Sequence, residues 1–183
     1  MTMAGNSKKS EWISWAKSIA LALVIAFICR QFIFAPVTVQ GESMMPTFQD
    51  QNKVIVTKLS KIERLDVVVF HSPDSEDDYI KRVIGLPGDE ISVKDDQLFV
   101  NGKKVDEPYL AENRKEAAEF GIEHLTENFG PLVVPEHQYF VMGDNRLNSN
   151  DSRSFGFISD ESVVGEAKFR YFPLNRIGNP EKP

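Results

Sequence analysis

The apolar run from residue 12 to residue 34 constrains this chain most. It is broken only by Ser14, Lys17, Ser18, Arg30 and Gln31. About 20 helical residues at 1.5 Å rise cross the ~30 Å hydrocarbon layer with every backbone polar group paired inside the segment. Lys17 and Arg30 lie near the two ends, where a long stem lets the charge reach the headgroups, and Trp12 and Trp15 suit the interfacial belt. The rest of the chain must fold outside the lipid, and its length suits one domain of about 100–150 residues.

Lys8, Lys9 and Lys17 precede the run, so the positive-inside tendency predicts a short cytoplasmic tail at residues 1–11, an anchor at 12–34 and an extracytoplasmic domain at 35–183. Arg30 weakens that bias without reversing it. A cleaved secretory signal is disfavoured, because its best cut would follow Ala35, with bulky Ile33 third from the bond and Pro36 just after it. The run therefore reads as a retained, single-pass signal anchor in the cell membrane. Cys29 is the only cysteine, which excludes an intramolecular disulfide even outside the cytoplasm. The formal charge is −6, and the acidic excess grows beyond Arg30, which argues against a nucleic-acid partner.

Past the anchor the periodicity changes from helical to twofold. Residues 37–40, 53–57, 66–70 and 79–84 are short, β-branched and alternating or fully apolar, which predicts strands. Residues 90–93 and 97–100 flank an Asp95-Asp96 turn, and Asn101-Gly102 leads into 103–105 with two-residue hairpin chemistry. Residues 110–120 form the one expected soluble helix, and 138–142 and 166–172 close the sheet. The stretch 95–135 is expected to be an inserted hairpin-and-helix appendage. The acidic cluster at 74–78 lacks the glycine and spaced glutamate of a calcium loop, so no metal is assigned.

Gly41-Glu42-Ser43-Met44-Met45-Pro46-Thr47 is a polar turn set between the anchor and the first strands. Ser43 there is a candidate nucleophile, and a hydroxyl needs a base to take its proton. His71, His124 and His137 stand in no recognisable triad context. Lys81, in Tyr79-Ile80-Lys81-Arg82-Val83, is the other choice. A free lysine has a pKa of about 10.4, and burial without a carboxylate partner can lower it to about 7 or 8. The twofold period puts Tyr79, Lys81 and Val83 on one face, so ring and methyl groups flank the amine. Arg82 faces the other way with Ile80 and Ile84.

These segments, together with Gly143-Asp144-Asn145-Arg146 and Asn148-Ser149-Asn150-Asp151-Ser152-Arg153, occur in the order found in the bacterial type I signal peptidases, and the chain resembles that family from the anchor to about Tyr171. Its compact length is similar to the Gram-positive branch. The resemblance implies a mainly β, antiparallel-sheet catalytic domain of the kind shared with self-cleaving repressors. It implies a serine endopeptidase that removes signal peptides from secretory preproteins after small residues at the first and third positions before the bond. No cofactor is implied. Ser43 would be the acylating nucleophile and Lys81 its base. Ser149 would hydrogen-bond the lysine amine, and Asp144, Asp151 and Arg153 would hold the Ser149 loop. Val39, Met44, Tyr79 and Ile80 are the expected pocket walls, with residues 37–40 and 78–81 as the exposed strand edges. A monomer working at the lipid bilayer is expected.

Three positions depart from the family pattern. Gly41 stands where some relatives carry an oxyanion-binding serine, Leu65 where glycine is common, and Leu147 where aspartate is common. Two other functions remain open at this point. A self-cleaving repressor would need a DNA-binding module, and the N-terminus has no helix-turn-helix. A membrane-anchored β-domain that binds exported polypeptides without cleaving them would leave the Ser43, Lys81 and Ser149 spacing unexplained. The orientation is open to a direct test: protease added to intact spheroplasts is expected to digest the region 66–171, and protection of that region would overturn the assignment.

Overall fold

A computed structural model describes residues 5–180. Residues 1–4 of the expected tail and the side chains of Lys8 and Lys9 lie outside the described residues. The apolar run forms helix α1 (Gly5–Phe32), of which Glu11–Phe32 is long and apolar enough to cross a membrane. The most apolar part of that stretch is not buried against the rest of the protein, as expected of a segment solvated by lipid. The helix stops two residues before the expected boundary because Phe34 already pairs with Thr57 in β1 (Phe34–Thr38). Ile33 alone separates helix from strand, and its carbonyl accepts the Lys58 N–H at 3.0 Å. Lys58 Nζ also donates to the Gln31 carbonyl at 3.0 Å, so the helix end is tied to the sheet.

The domain is built from two antiparallel sheets, as its alternating segments require. The larger contains β1, β2 (Lys53–Thr57), β3 (Val67–His71), β4 (Asp78–Gly85), β9 (Gln138–Met142), β10 (Ile158–Ser159) and β11 (Val163–Phe172). Its spatial order is β1-β2-β11-β3-β4-β9-β10. Buried valines, together with Phe48, Phe70, Ile84 and Met142, fill clusters on its two faces. The smaller sheet has the order β7-β6-β5-β8, from β5 (Glu90–Lys94), β6 (Gln97–Val100), β7 (Lys103–Val105) and β8 (Phe129–Val133). It begins at Glu90, five residues before the expected start of the appendage. Asp95 and Asp96 both adopt positive φ, 50° and 57°, as do Asn101 and Gly102, 51° and 72°, which suits tight two-residue hairpins.

Strand β8 was not predicted from the sequence. Gly130 and Pro131 interrupt its pattern, and they are tolerated because β8 is an edge strand. Helix α2 (Ala111–Glu119) consists of strong helix formers and buries Ala117 against Leu110 and Leu125. A further short helix, α3 (Ser152–Phe155), begins at Asp151, whose side chain accepts the Arg153 N–H.

The appendage is attached to the larger sheet by polar groups that water does not reach. Arg146 is buried, and it donates from Nη2 to Glu107 Oε1 at 2.5 Å, from Nη1 to Thr126 Oγ1 at 3.1 Å and from Nε to the Gly143 carbonyl at 3.0 Å. Glu107 is buried too. Removing one partner of such a pair leaves the other charge stranded. Arg146→Ala is therefore expected to lower the unfolding free energy by about 3–5 kcal/mol, read from denaturant unfolding in detergent micelles, while the paired change Glu107→Met with Arg146→Met loses less.

Candidate active site

The polar turn that follows β1 is held in place by its backbone. The Asn145 N–H donates to the Ser43 carbonyl at 2.9 Å, Asn145 Nδ2 donates to the Glu42 carbonyl at 3.2 Å, and the Phe48 N–H returns to Met44 O. Gly41 has φ 81°, a conformation that disfavours any side chain. Its N–H donates to Asp50 Oδ1 at 2.9 Å and so is engaged elsewhere. Among the described residues the Ser43 N–H has no hydrogen-bond acceptor, which leaves it free to bind an oxyanion.

Lys81 reaches this turn from β4. Its Nζ lies 2.7 Å from Ser43 Oγ and donates to the Ile80 carbonyl at 3.0 Å. The side chain is buried, and the Tyr79 ring centroid is 5.1 Å from Nζ. Burial pushes the Lys81 pKa down to about 8, against the opposing pull of Asp151, then Asp144 and Asp74. None of these carboxylates forms a salt bridge with the amine, because each nearby acid has its own partner. Asp144 is fully buried and receives Arg82 in a bidentate pair, Nε to Oδ1 at 2.8 Å and Nη2 to Oδ2 at 2.7 Å. Thr47 Oγ1 adds a third bond to Asp144 at 2.5 Å. Asp151 receives Arg153 in the same way, with both distances 2.8 Å, and accepts the Gly143 N–H at 3.0 Å. Burial alone would raise the Asp151 pKa, but Arg153 holds it below the usual carboxylate range.

Ser149 borders the same space, although not as expected. Its Oγ is buried and does not bond the Lys81 amine, which takes the Ile80 carbonyl instead, and the Ser149 side chain lies close enough to Asp151 to help lower its pKa. Gly143 lies between the two loops. A Cβ there would come within 2.5 Å of the Ser43 carbonyl oxygen and would also clash with Ser149, so only glycine lets them approach. Asn150 Nδ2 donates to Asp74 at 2.7 Å and bridges to the loop before β4.

A groove of about 450 Å³ runs past Ser43 and Lys81, walled by Val39, Val69, Tyr79 and Ile80. Three of the four expected wall residues therefore line it. The fourth, Met44, does not, being buried behind the groove against Val39, Phe48 and Ile80, where its flexible side chain fills the core. One wall carries the free edge of β1. The other carries Asp78 to Lys81, because the pairing of β4 with β9 begins only at Arg82. The histidines lie elsewhere: His71 contacts Asp78 and His137 contacts Asp160, both on the surface, and His124 is exposed. Among the described residues, no group of three or more His, Cys, Asp or Glu converges as a metal site.

Sequence reasoning missed Arg82, Glu107, Asn113 and Arg146 as supports. A buried arginine on a strand requires an acid partner, and that was the available signal for Arg82. Leu65 has φ 72°, a conformation that favours glycine.

Residues 12–172 match the family described as signal peptidase, peptidase S26. The chain is 48% identical over 176 residues to signal peptidase I S of Bacillus subtilis (strain 168), covering 93% of this chain and 95% of that protein. It is 45% identical over 188 residues to signal peptidase IB of Staphylococcus aureus, covering 94% and 97%. A crystal structure of a signal peptidase I from Enterococcus faecalis V583 superposes with TM-score 0.55 at 40% identity, covering 58% of this chain and 97% of that one.

The buried amine has a stability cost with a defined pH window. In the unfolded chain it titrates near 10.5, in the folded protein at about 8. Below pH 8 both states hold the proton and the folded state bears the full cost, about 3 kcal/mol at ~1.36 kcal/mol per unit, which fades as pH rises to 10.5. Lys81→Met is expected to raise stability by about 3 kcal/mol at pH 6, with the gain shrinking between pH 8 and 10.5. A pH-independent gain would show that desolvation of the amine is not its source.

Proposed function

This chain belongs to the signal peptidase family of S26 peptidases, and we propose that its Ser43 and Lys81 carry out the hydrolysis. It is a serine endopeptidase that removes signal peptides from secretory preproteins. The observation that carries the residue assignment is the buried amine of depressed pKa, 2.7 Å from a serine hydroxyl.

In this reading the neutral Lys81 amine donates one N–H to the Ile80 carbonyl, which directs its lone pair at the Ser43 proton. As that proton moves to Nζ, Oγ attacks the scissile carbonyl carbon, and the carbonyl electron pair moves onto oxygen, where the Ser43 N–H can bind it. Collapse of this adduct breaks the C–N bond, and the Lys81 ammonium returns the proton to the departing amine. The mature chain leaves and the signal peptide remains as an ester on Ser43. A water molecule, deprotonated by the same amine, then hydrolyses the ester and regenerates the hydroxyl.

Asp144 with Arg82, and Asp151 with Arg153, are positioning pairs, since bidentate geometry fixes direction as well as distance. In this reading the buried Ser149 hydroxyl, which borders the same space, accepts the second amine proton. The substrate lies extended between the edges of β1 and β4, adding main-chain hydrogen bonds to both. The first and third side chains before the bond then point into the groove lined by Val39, Val69, Tyr79 and Ile80. The catalytic domain works as a monomer on the outer face of the membrane, anchored by α1. A module that binds exported chains without cleaving them would have no use for a desolvated amine against a hydroxyl.

Ser43→Ala and Lys81→Ala are each expected to reduce preprotein cleavage on the order of 10⁴-fold or more with the fold intact, since either loss removes the activated nucleophile. Lys81→Arg is expected to be as inactive, because guanidinium does not deprotonate. Alanine at His71, His124 or His137 is expected to leave most activity. The pH-rate profile of kcat/KM is expected to rise through about 8 as the amine loses its proton. Substantial turnover by Lys81→Ala would falsify the serine-lysine assignment.

A further inference from the structure

A preprotein bound along β1 must continue past Ser43 after the scissile bond, and the surface there is a second groove of about 360 Å³ between the Ser43 turn and α2. Glu42, the residue before Ser43, borders both grooves. Asn113 fixes α2 across the second groove by donating from Nδ2 to the Met45 carbonyl at 3.0 Å and to the Asp144 carbonyl at 2.7 Å. The position of α2 therefore depends on the same turn that carries Ser43.

Helical spacing places Glu112, Glu116 and Phe120 on one stripe, and all three are exposed and line this groove. Like charges four residues apart destabilise the helix that carries them. Neither Glu112 nor Glu116 forms a salt bridge among the described residues that would offset this. The one guanidinium in the lining, Arg146, is buried and neutralised by Glu107. The charged lining of the groove is therefore net acidic, with apolar Phe120 and Leu147 also bordering it. Nine residues of helix extend about 13 Å, enough for three to four residues of extended chain at about 3.3 Å each.

We propose that this groove binds the first residues of the mature polypeptide, the segment that follows the scissile bond, and that Glu112 and Glu116 make it favour lysine or arginine there over aspartate or glutamate. The proposal rests on the reading of Ser43 as the nucleophile. Selectivity for the segment that leaves would then sit on the appendage, while selectivity for the signal peptide sits on the main sheet.

The test uses the full chain in neutral detergent micelles. Three preprotein peptides share one signal sequence and carry lysines, serines or glutamates at the second to fourth positions after the bond. Wild-type kcat/KM is expected to be about fivefold to tenfold higher for the lysine peptide than for the glutamate peptide, with the difference shrinking in high salt. In E112Q/E116Q the ratio is expected to fall to about twofold or less, and in E112K/E116K to invert, with the serine peptide cleaved within about twofold of wild type throughout. A wild-type ratio near one, or a ratio unmoved in both variants, would overturn the proposal. So would equal losses on all three peptides, which would mean that α2 only supports the Ser43 turn. Failure of the underlying reading is separate, and would appear as turnover of the serine peptide by Ser43→Ala.

Discussion

An amine held out of water with no carboxylate in contact is the constraint on which the rest of this structure depends. Three acids, Asp151, Asp144 and Asp74, pull the Lys81 pKa upward, and burial still prevails, taking it down to about 8. The arrangement works because each acid is already engaged. Arg82 occupies both oxygens of Asp144, and Arg153 both oxygens of Asp151. A carboxylate whose lone pairs are directed at a guanidinium can brace a loop without forming an ion pair with the lysine. The same two pairs therefore give rigidity and limit the electrostatic pull on the amine.

Those braces also explain why segments so distant in sequence meet within hydrogen-bond distance. Thr47 from the Ser43 turn and Arg82 from β4 converge on the buried carboxylate of Asp144, from the loop after β9. Gly143, one residue away, lets the Ser43 and Ser149 backbones approach, and its carbonyl and N–H are taken by Arg146 and Asp151. The appendage joins this network through Glu107 and Thr126 on Arg146 and through Asn113 on the Ser43 turn. It is thus part of the support of the site, and its removal would leave a buried guanidinium and two backbone carbonyls without their partners.

Much of this was legible in the sequence, for reasons that differ by element. The strands at 53–57, 97–100 and 138–142 were placed to the residue, because twofold alternation in β-branched residues and aspartate or asparagine turns are local signals. The anchor was legible from length and apolarity. Strand β8 was not, since Gly130 and Pro131 argue against a strand and only its place at a sheet edge permits them. Lys81 and Ser43 stood out by motif, but the partner of Asp144 did not, because Arg82 and Asp144 are 62 positions apart and nothing local joins them. Met44 was expected on the pocket wall. A side chain next to the candidate nucleophile need not face the substrate, and the turn directs this one into the core.

The join between α1 and β1 has a consequence for how a substrate is held. A single residue separates the helix from the strand whose free edge borders the groove, and Lys58 ties the helix end from the β2 side. The groove is therefore joined to the anchor with no flexible linker between them. Five residues of β1 extend about 17 Å, so the Ser43 turn lies at a fixed and short distance from the helix end. A chain that adds to β1 in the proposed way has its own apolar segment and its scissile bond spaced by that strand. Substrate length then becomes a selection rule set by the backbone of the enzyme, acting alongside the size of the pocket.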